Sequence, residues 1–181
     1  MDLHHGASPP RRTAGITLIE LMLGVSVLAV LLALAVPSFR QLTTSNRAAT
    51  VESDLVTALN LARSESVRQG IPVSMCSSID GATCAGAGDW GSGWIVFTDN
   101  SGTPGVLDSG DQKLEAWTPS GGSNVYIVAS DASVQYQPPG TALAQVTFSV
   151  LWTGCSGIGA HRVQVLGTGL VSVKAVSCPG S

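Results

Sequence analysis

Glu20 is the most unusual charged group in the sequence, because it lies near the start of a long apolar run. Residues 16–36 read ITLIELMLGVSVLAVLLALAV and contain this charge alone. A carboxylate inside a membrane helix costs about 2.5–3.5 kcal/mol, and less when it lies near the interface. Such a buried carboxylate needs a partner.

Four cysteines could form two disulfide bonds, and all of them follow the apolar run. They are Cys76, Cys84, Cys155 and Cys178. Four cysteines allow three pairings, of which the simplest is local: Cys76 with Cys84 and Cys155 with Cys178. Disulfides require an oxidising compartment, here the periplasm or beyond. Free buried thiols are the alternative, and a zinc site is disfavoured because the sequence has no CxxC spacing.

A run of oxygen-bearing side chains between two predicted strands has some features of a calcium loop, since such ligands gather around a glycine turn. The residues are Asp99, Asn100, Ser101, Gly102, Asp108 and Asp111. The run lacks the regular alternation and the closing glutamate of the standard loop. A polar hairpin loop is therefore the favoured interpretation.

The sequence shows no catalytic constellation. His161 is the only histidine after residue 15, and no nucleophile-elbow motif accompanies it. A histidine on the surface of a strand, or one satisfied by its neighbours, is the favoured interpretation. We therefore expect no enzyme activity, no cofactor and no metal ion.

The charge balance disfavours nucleic acid as the main partner. Residues 70–181 contain three basic residues (Lys113, Arg162 and Lys174) against seven acidic ones, a net charge of −4. Nucleic-acid-binding domains usually show the reverse balance.

The N-terminal segments predict an export leader followed by a membrane helix. Residues 1–15 are polar and include Arg11 and Arg12. The apolar run 16–36 spans roughly 31 Å as a helix, which is enough to cross the hydrocarbon core. The arginines predict that the N-terminus stays cytoplasmic, so the rest of the chain faces outward.

Residues 37–69 are predicted to continue the helix as an amphipathic half, and residues 70–181 to form a β-rich domain. Apolar residues at spacings of three and four form one stripe: Val51, Leu55, Ala58, Leu59 and Ala62. Gly70 and Pro72 end the helix. Strands are predicted at 71–77, 93–98, 113–118, 124–130, 133–137, 145–151, 161–167 and 170–176. Short strands separated by turns favour one antiparallel sheet or two small packed sheets, and hence an α+β fold.

The string G-I-T-L-I-E, from Gly15 to Glu20, resembles the type IV prepilin signature. The resemblance implies that a prepilin peptidase cuts between Gly15 and Ile16 and that Ile16 is then N-methylated. It also implies that Glu20 faces the amine of a neighbouring subunit's first residue, and Pro37 stands where the family has a helix-kinking proline. The family usually has Phe where Ile16 stands, but cleavage should remain intact because it depends mainly on the glycine.

Later segments resemble the GspH/FimT class of minor pilins and pseudopilins, and within it the FimT and FimU minor pilins more than the secretion pseudopilin GspH. They are LNLARSESVRQG (Leu59–Gly70), WGSGWIVFTD (Trp90–Asp99) and the late hairpin that ends near Cys178. The resemblance implies the pilin fold, in which a long N-terminal helix packs on antiparallel sheet. It implies a minor pilin that primes type IV pilus assembly at the filament tip.

The same resemblance implies partners and a location. The partners are other major and minor pilins or pseudopilins, the inner-membrane assembly platform and the prepilin peptidase. The protein would be a single-pass inner-membrane protein with a periplasmic globular domain, and would then enter a filament.

Two alternative functions stay open at this point. One is a type II secretion pseudopilin. The other is a DNA-binding minor pilin for natural transformation (competence), because some FimT-like proteins bind DNA through a Gly-Arg-x-Arg run on the C-terminal hairpin. Here that stretch reads GLVS, from Gly169 to Ser172. Arg162 and Lys174 are the remaining candidates for DNA contacts, but two charges neutralise few phosphates.

Overall fold

The computed structural model describes residues 15–86, 90–119 and 124–179, without the side chains of residues 34, 36–38, 40 and 41. The predicted leader before Gly15, with Arg11 and Arg12, lies outside the described residues, and so does the side chain of Pro37. What the sequence predicts for these residues stays a prediction.

One long helix, α1 (Leu18–Gln69), contributes to two compact units of the chain. Residues up to Phe39 belong to the first unit, and Arg40–Ser181 form the second. In the first unit the large apolar side chains are exposed, from 77% for Ile16 to 52% for Val27. Within the described residues, no helix combines the length and the apolar character that crossing a membrane requires.

In the second unit, one stripe of α1 is buried. Its members are at most 1% exposed: Ala48, Val51, Leu55, Ala58, Leu59 and Ala62. This confirms the stripe predicted from the spacing. The helix also ends where predicted, since Gly70 has a φ of 69° and its N–H donates to the Ser66 carbonyl at 3.0 Å. Glycine adopts this left-handed conformation without strain, and it commonly closes helices for that reason.

The strands of the described structure pair antiparallel in two four-stranded sheets. In chain order they are β1 (Val73–Ser77), β2 (Trp94–Thr98), β3 (Lys113–Trp117), β4 (Val125–Ala129), β5 (Ser133–Tyr136), β6 (Val146–Trp152), β7 (Ile158–Val165) and β8 (Val171–Ser177). The first sheet has the order β3-β2-β1-β5, and the second has β4-β6-β7-β8. The α+β prediction is confirmed, and the form is two small sheets.

The main core lies between the buried stripe of α1 and the inner faces of both sheets. Met75 of the first sheet and Phe148 of the second belong to the same buried cluster as the helix stripe. Trp90 packs edge-on against Phe148, with ring centroids 4.9 Å apart, and its indole N–H donates to the Asp131 carbonyl at 3.1 Å. Burying each large apolar side chain contributes about 1.5–3 kcal/mol. The helix therefore fastens both sheets through one shared core.

Two loops cover part of the outer face of the first sheet. Cys76, Ile95 and Phe97 form a second buried cluster on that face, and Cys84 and Leu107 pack against it. Cys84 lies in the loop after β1, and Leu107 lies in the loop after β2. Each of these two loops therefore contributes one side chain to the second buried cluster.

Tyr136 on β5 is fully buried, and its hydroxyl has no hydrogen-bond partner among the described residues. Burial raises the pKa of this phenol above its ordinary value of 10.0, while the nearby positive charge of Arg63 opposes the rise. Because the unfolded chain ionises this tyrosine first, the folded state loses stability as the pH rises above about 10. Each pH unit in that range costs about 1.4 kcal/mol.

The Tyr136→Phe variant should remove this alkaline loss. It should also be as stable as the wild type at pH 8, or about 1 kcal/mol more stable, because an unsatisfied buried hydroxyl disappears. Urea unfolding of both proteins between pH 8 and pH 11.5 measures the difference. Parallel pH profiles for the two proteins would contradict the prediction.

Candidate functional site

The segment from Gly15 to Glu20 is exposed, and the helix begins inside it. Gly15, Ile16 and Thr17 are non-helical, and α1 starts at Leu18. Ile16 is 77% exposed. A Cβ added to Gly15 would meet nothing within 4 Å. The peptide bond between Gly15 and Ile16 is therefore unobstructed in the described structure.

Thr17 caps the first turn of α1 with two acceptor atoms. Its carbonyl accepts a hydrogen bond from the Leu21 N–H at 3.1 Å, and its Oγ1 accepts one from the Glu20 N–H at 3.3 Å. The first N–H groups of a helix have no partner within the helix, and a threonine at the cap position satisfies one of them. This cap was not among the predictions, although the T-x-x-E pattern of a capping box signals it in the sequence.

The Glu20 side chain borders a shallow groove on the surface of the first unit. The groove is lined by Glu20 together with Ile16, Leu21, Gly24, Val25 and Leu28. Glu20 is exposed, and no basic side chain among the described residues forms an ion pair with it. Its charge is thus left without a cationic partner in the part of the chain that the structure describes.

The four cysteines form two disulfides in the second unit. Cys76 pairs with Cys84, and Cys155 pairs with Cys178. This is the local pairing. The first bond joins β1 to the loop that follows it, and the second joins the β6–β7 connection to the end of β8. Both bonds require an oxidising environment to form and persist.

Asp99, a candidate calcium ligand in the sequence, is used as a buried hydrogen-bond acceptor. It is 5% exposed. Its Oδ2 accepts from the Ser74 hydroxyl at 2.5 Å, from the Gly105 N–H at 2.7 Å and from the Gln135 side-chain amide at 2.6 Å. These donors lie on β1, on the loop after β2 and on β5. One carboxylate oxygen therefore holds that loop to two strands.

The other carboxylates of the loop are also occupied by the loop itself. Asp108 accepts from the Thr103 N–H at 2.6 Å, and Asp111 accepts from the Ser101 hydroxyl at 3.0 Å and the Asp108 N–H at 3.0 Å. Across the described residues, no three His, Cys, Asp or Glu side chains are grouped so that they could hold a metal ion. The arrangement is that of a polar hairpin loop stabilised by its own hydrogen bonds.

His161 contacts a helix residue that the sequence analysis did not single out. Its Nδ1 contacts Glu52 on α1, and the side chains are 27% and 17% exposed. His161 follows β7 in the register that also points Val163 at the core, so it faces the helix. The signal for Glu52 in the sequence is its position beside the buried stripe, four residues after Ala48 and three before Leu55. The contact between Glu52 and His161 therefore fastens α1 to the second sheet.

Arg162 and Lys174 are direct cross-strand neighbours on β7 and β8. Both side chains are exposed. Gly169, the first residue of the GLVS stretch, lies in the turn between these strands and has a φ of 79°. The two cations thus form one small basic pair on the solvent side of the second sheet.

Comparison with protein families gives two matches along this chain. Residues 53–169, which are more than half of it, match the family described as type II transport protein GspH. The chain belongs to the GspH family. Residues 10–36 of this GspH-family protein match the prokaryotic N-terminal methylation motif, which includes the segment from Gly15 to Glu20. Members of this pilin and pseudopilin family are structural proteins and not enzymes.

Two solved structures share the fold of this GspH-family chain. Both are of the type IV minor pilin FimU from Pseudomonas aeruginosa, in two crystal forms. The first is 17% identical, with 71% of this chain and 89% of that chain covered and a TM-score of 0.56. The second is 18% identical, with 68% and 90% covered and a TM-score of 0.52. No curated protein matches the chain. The pilin-like fold is thereby shown.

Proposed function

We propose that this GspH-family protein is a minor pilin that helps to prime the assembly of a type IV pilus, at the filament tip. The observation that carries the proposal is an exposed apolar helix surface with Glu20 at its start, whose carboxylate has no cationic partner among the described residues. The N-terminal methylation motif supports the same conclusion. So does the name of the two structures of similar fold, type IV minor pilin.

The proposed sequence of events begins with processing. A prepilin peptidase cuts after Gly15, and Ile16 is methylated and becomes the first residue. The apolar segment anchors the subunit in the inner membrane, with the disulfide-bonded unit in the periplasm. During assembly the helices of other pilins replace the lipid around this segment, so its apolar surface stays away from water.

Glu20 would then select the correct stagger between neighbouring subunits. The amine at the first residue of a neighbouring subunit would be the cationic partner that Glu20 does not have among the described residues. A misplaced neighbour would leave the carboxylate unpaired in an apolar environment, which is costly. The charge thus contributes more to the choice of register than to overall affinity.

The Glu20→Gln variant tests this role because it removes the charge with little change in shape. We expect unchanged amounts in the membrane fraction, but incorporation into filaments reduced by more than about tenfold, since breaking one partner of a buried ion pair costs about 3–5 kcal/mol. Quantitative immunoblots of membranes and sheared filaments measure both. Glu115→Gln, an exposed carboxylate on β3, is the matched control and should assemble normally. Normal assembly of Glu20→Gln would contradict the proposal.

A type II secretion pseudopilin is the second candidate, because the matching family carries that system in its description. The helix, the processing segment and the role of Glu20 would be the same. Complementation of a deletion strain separates the two. Restored twitching motility supports the minor pilin, and restored secretion of exoproteins supports the pseudopilin. A DNA-binding minor pilin has less support, since Arg162 and Lys174 offer only two cations.

A further inference from the structure

We infer that Thr17 is a positioning residue for the proposed processing step: its cap starts the helix just after the cleaved bond and keeps that bond out of the helix. The inference rests on the proposed cleavage between Gly15 and Ile16. It concerns how the substrate segment is presented to the peptidase.

The geometry of the segment places the boundary between coil and helix at Thr17. Its carbonyl accepts from Leu21 at 3.1 Å, which is the first turn of the helical ladder. Its hydroxyl accepts from the Glu20 N–H at 3.3 Å. Leu18 is the first helical residue, and Gly15 and Ile16 are non-helical and exposed. The helix therefore starts two residues after the bond to be cut.

The start position matters because a helix, once nucleated, grows by one hydrogen bond per residue. If the helix extended two residues beyond Thr17 toward the N-terminus, it would include Ile16 and Gly15. The carbonyl of Gly15 would then accept a bond from the helix, and the peptide could not change shape freely in an active site. A threonine hydroxyl at the cap favours one start position over the others by satisfying an N–H there.

The reaction itself needs only an accessible peptide. Hydrolysis adds one water across the C–N bond between Gly15 and Ile16. It leaves a carboxylate on Gly15 and a free amine on Ile16. Thr17 takes no part in this exchange of atoms, and its effect is on the fraction of chains whose bond is outside the helix.

Two variants separate capping from direct recognition of the threonine side chain. Thr17→Val keeps the branched shape but removes the acceptor. Thr17→Asn changes the shape but keeps a strong cap, because asparagine is among the best residues at this position. If capping is what counts, the valine variant is impaired and the asparagine variant is not.

The experiment uses the full-length precursor in detergent micelles with a purified prepilin peptidase, and follows the cleaved product by mass spectrometry. We expect kcat/KM for Thr17→Val to fall about fivefold, the size expected for the loss of one cap, and Thr17→Asn to match the wild type. Amide hydrogen exchange of Glu20 in the same samples should be faster in the valine variant only. Equal cleavage of the valine variant and the wild type would overturn the inference, as would slow cleavage of an asparagine variant whose Glu20 amide is protected. A wild-type precursor that is not cut after Gly15 would instead overturn the proposed function.

Discussion

The Asp99→Asn variant of the Arg40–Ser181 segment is expected to lose about 3 kcal/mol of unfolding free energy. Asp99 Oδ2 accepts hydrogen bonds from Ser74, Gly105 and Gln135 in a site that is nearly closed to water. Hydrogen bonds to a charged group contribute about 1.5–3 kcal/mol each, and the contributions overlap when they share one acceptor. The asparagine side chain carries no charge. When its NH2 group points toward Ser74, Gly105 and Gln135, donors face donors and these hydrogen bonds are lost.

Urea unfolding followed by tryptophan fluorescence measures this loss. Glu115→Gln is the matched control, because Glu115 is exposed and a surface substitution of this kind usually changes stability by less than about 0.5 kcal/mol. The loop after β2 should also become sensitive to protease in Asp99→Asn before the segment unfolds. Equal midpoints for Asp99→Asn and the control would show that the carboxylate does not hold the loop.

The Gly169→Ala variant is expected to lose about 3 kcal/mol or more, through two independent effects. Gly169 has a φ of 79°, where an alanine is strained. In addition, its new Cβ would collide with the backbone carbonyl of Gly140. That carbonyl already accepts a hydrogen bond from the Arg63 Nε at 2.9 Å, so it is held in place from the helix. Gly140 therefore cannot move away from the new methyl group without breaking this hydrogen bond.

Gly167→Ala, two residues earlier in the same turn, is the matched control. A Cβ at Gly167 would meet nothing within 4 Å, and this residue does not have a positive φ. We expect its stability to stay within about 0.5 kcal/mol of the wild type, or to rise slightly because the unfolded chain loses freedom. Thermal and urea unfolding of both variants provides the comparison. Similar losses in the two variants would mean that the turn responds to any added methyl group.

Features that depend on neighbours in the sequence could be predicted from it. The stripe from Val51 to Ala62, the end of α1 at Gly70 and the positions of the strands all follow from spacings within a few residues. The N-terminal methylation motif is also a local feature, because its glycine, its apolar run and Glu20 stand in fixed register.

Features that depend on distant contacts could not be predicted. The oxygens of Asp99 were identified as candidate ligands, but their donors are separated from it by up to 36 residues and come together only when β1 and β5 pair. The pair of Glu52 and His161 joins a helix to a strand far along the chain. The division into two sheets was likewise open, since short alternating strands satisfy either arrangement. In each case the deciding information is which elements lie side by side.

The disulfide between Cys155 and Cys178 has a mechanical consequence for the end of the chain. Strand β8 forms one edge of the second sheet, and an edge strand normally peels away one hydrogen bond at a time when its free end is pulled. Here the bond links residues that are 23 apart in the sequence, so a pull applied beyond Cys178 is shared between β8 and the β6–β7 connection. The disulfide thereby limits how far β8 can separate from β7 when force is applied on that side.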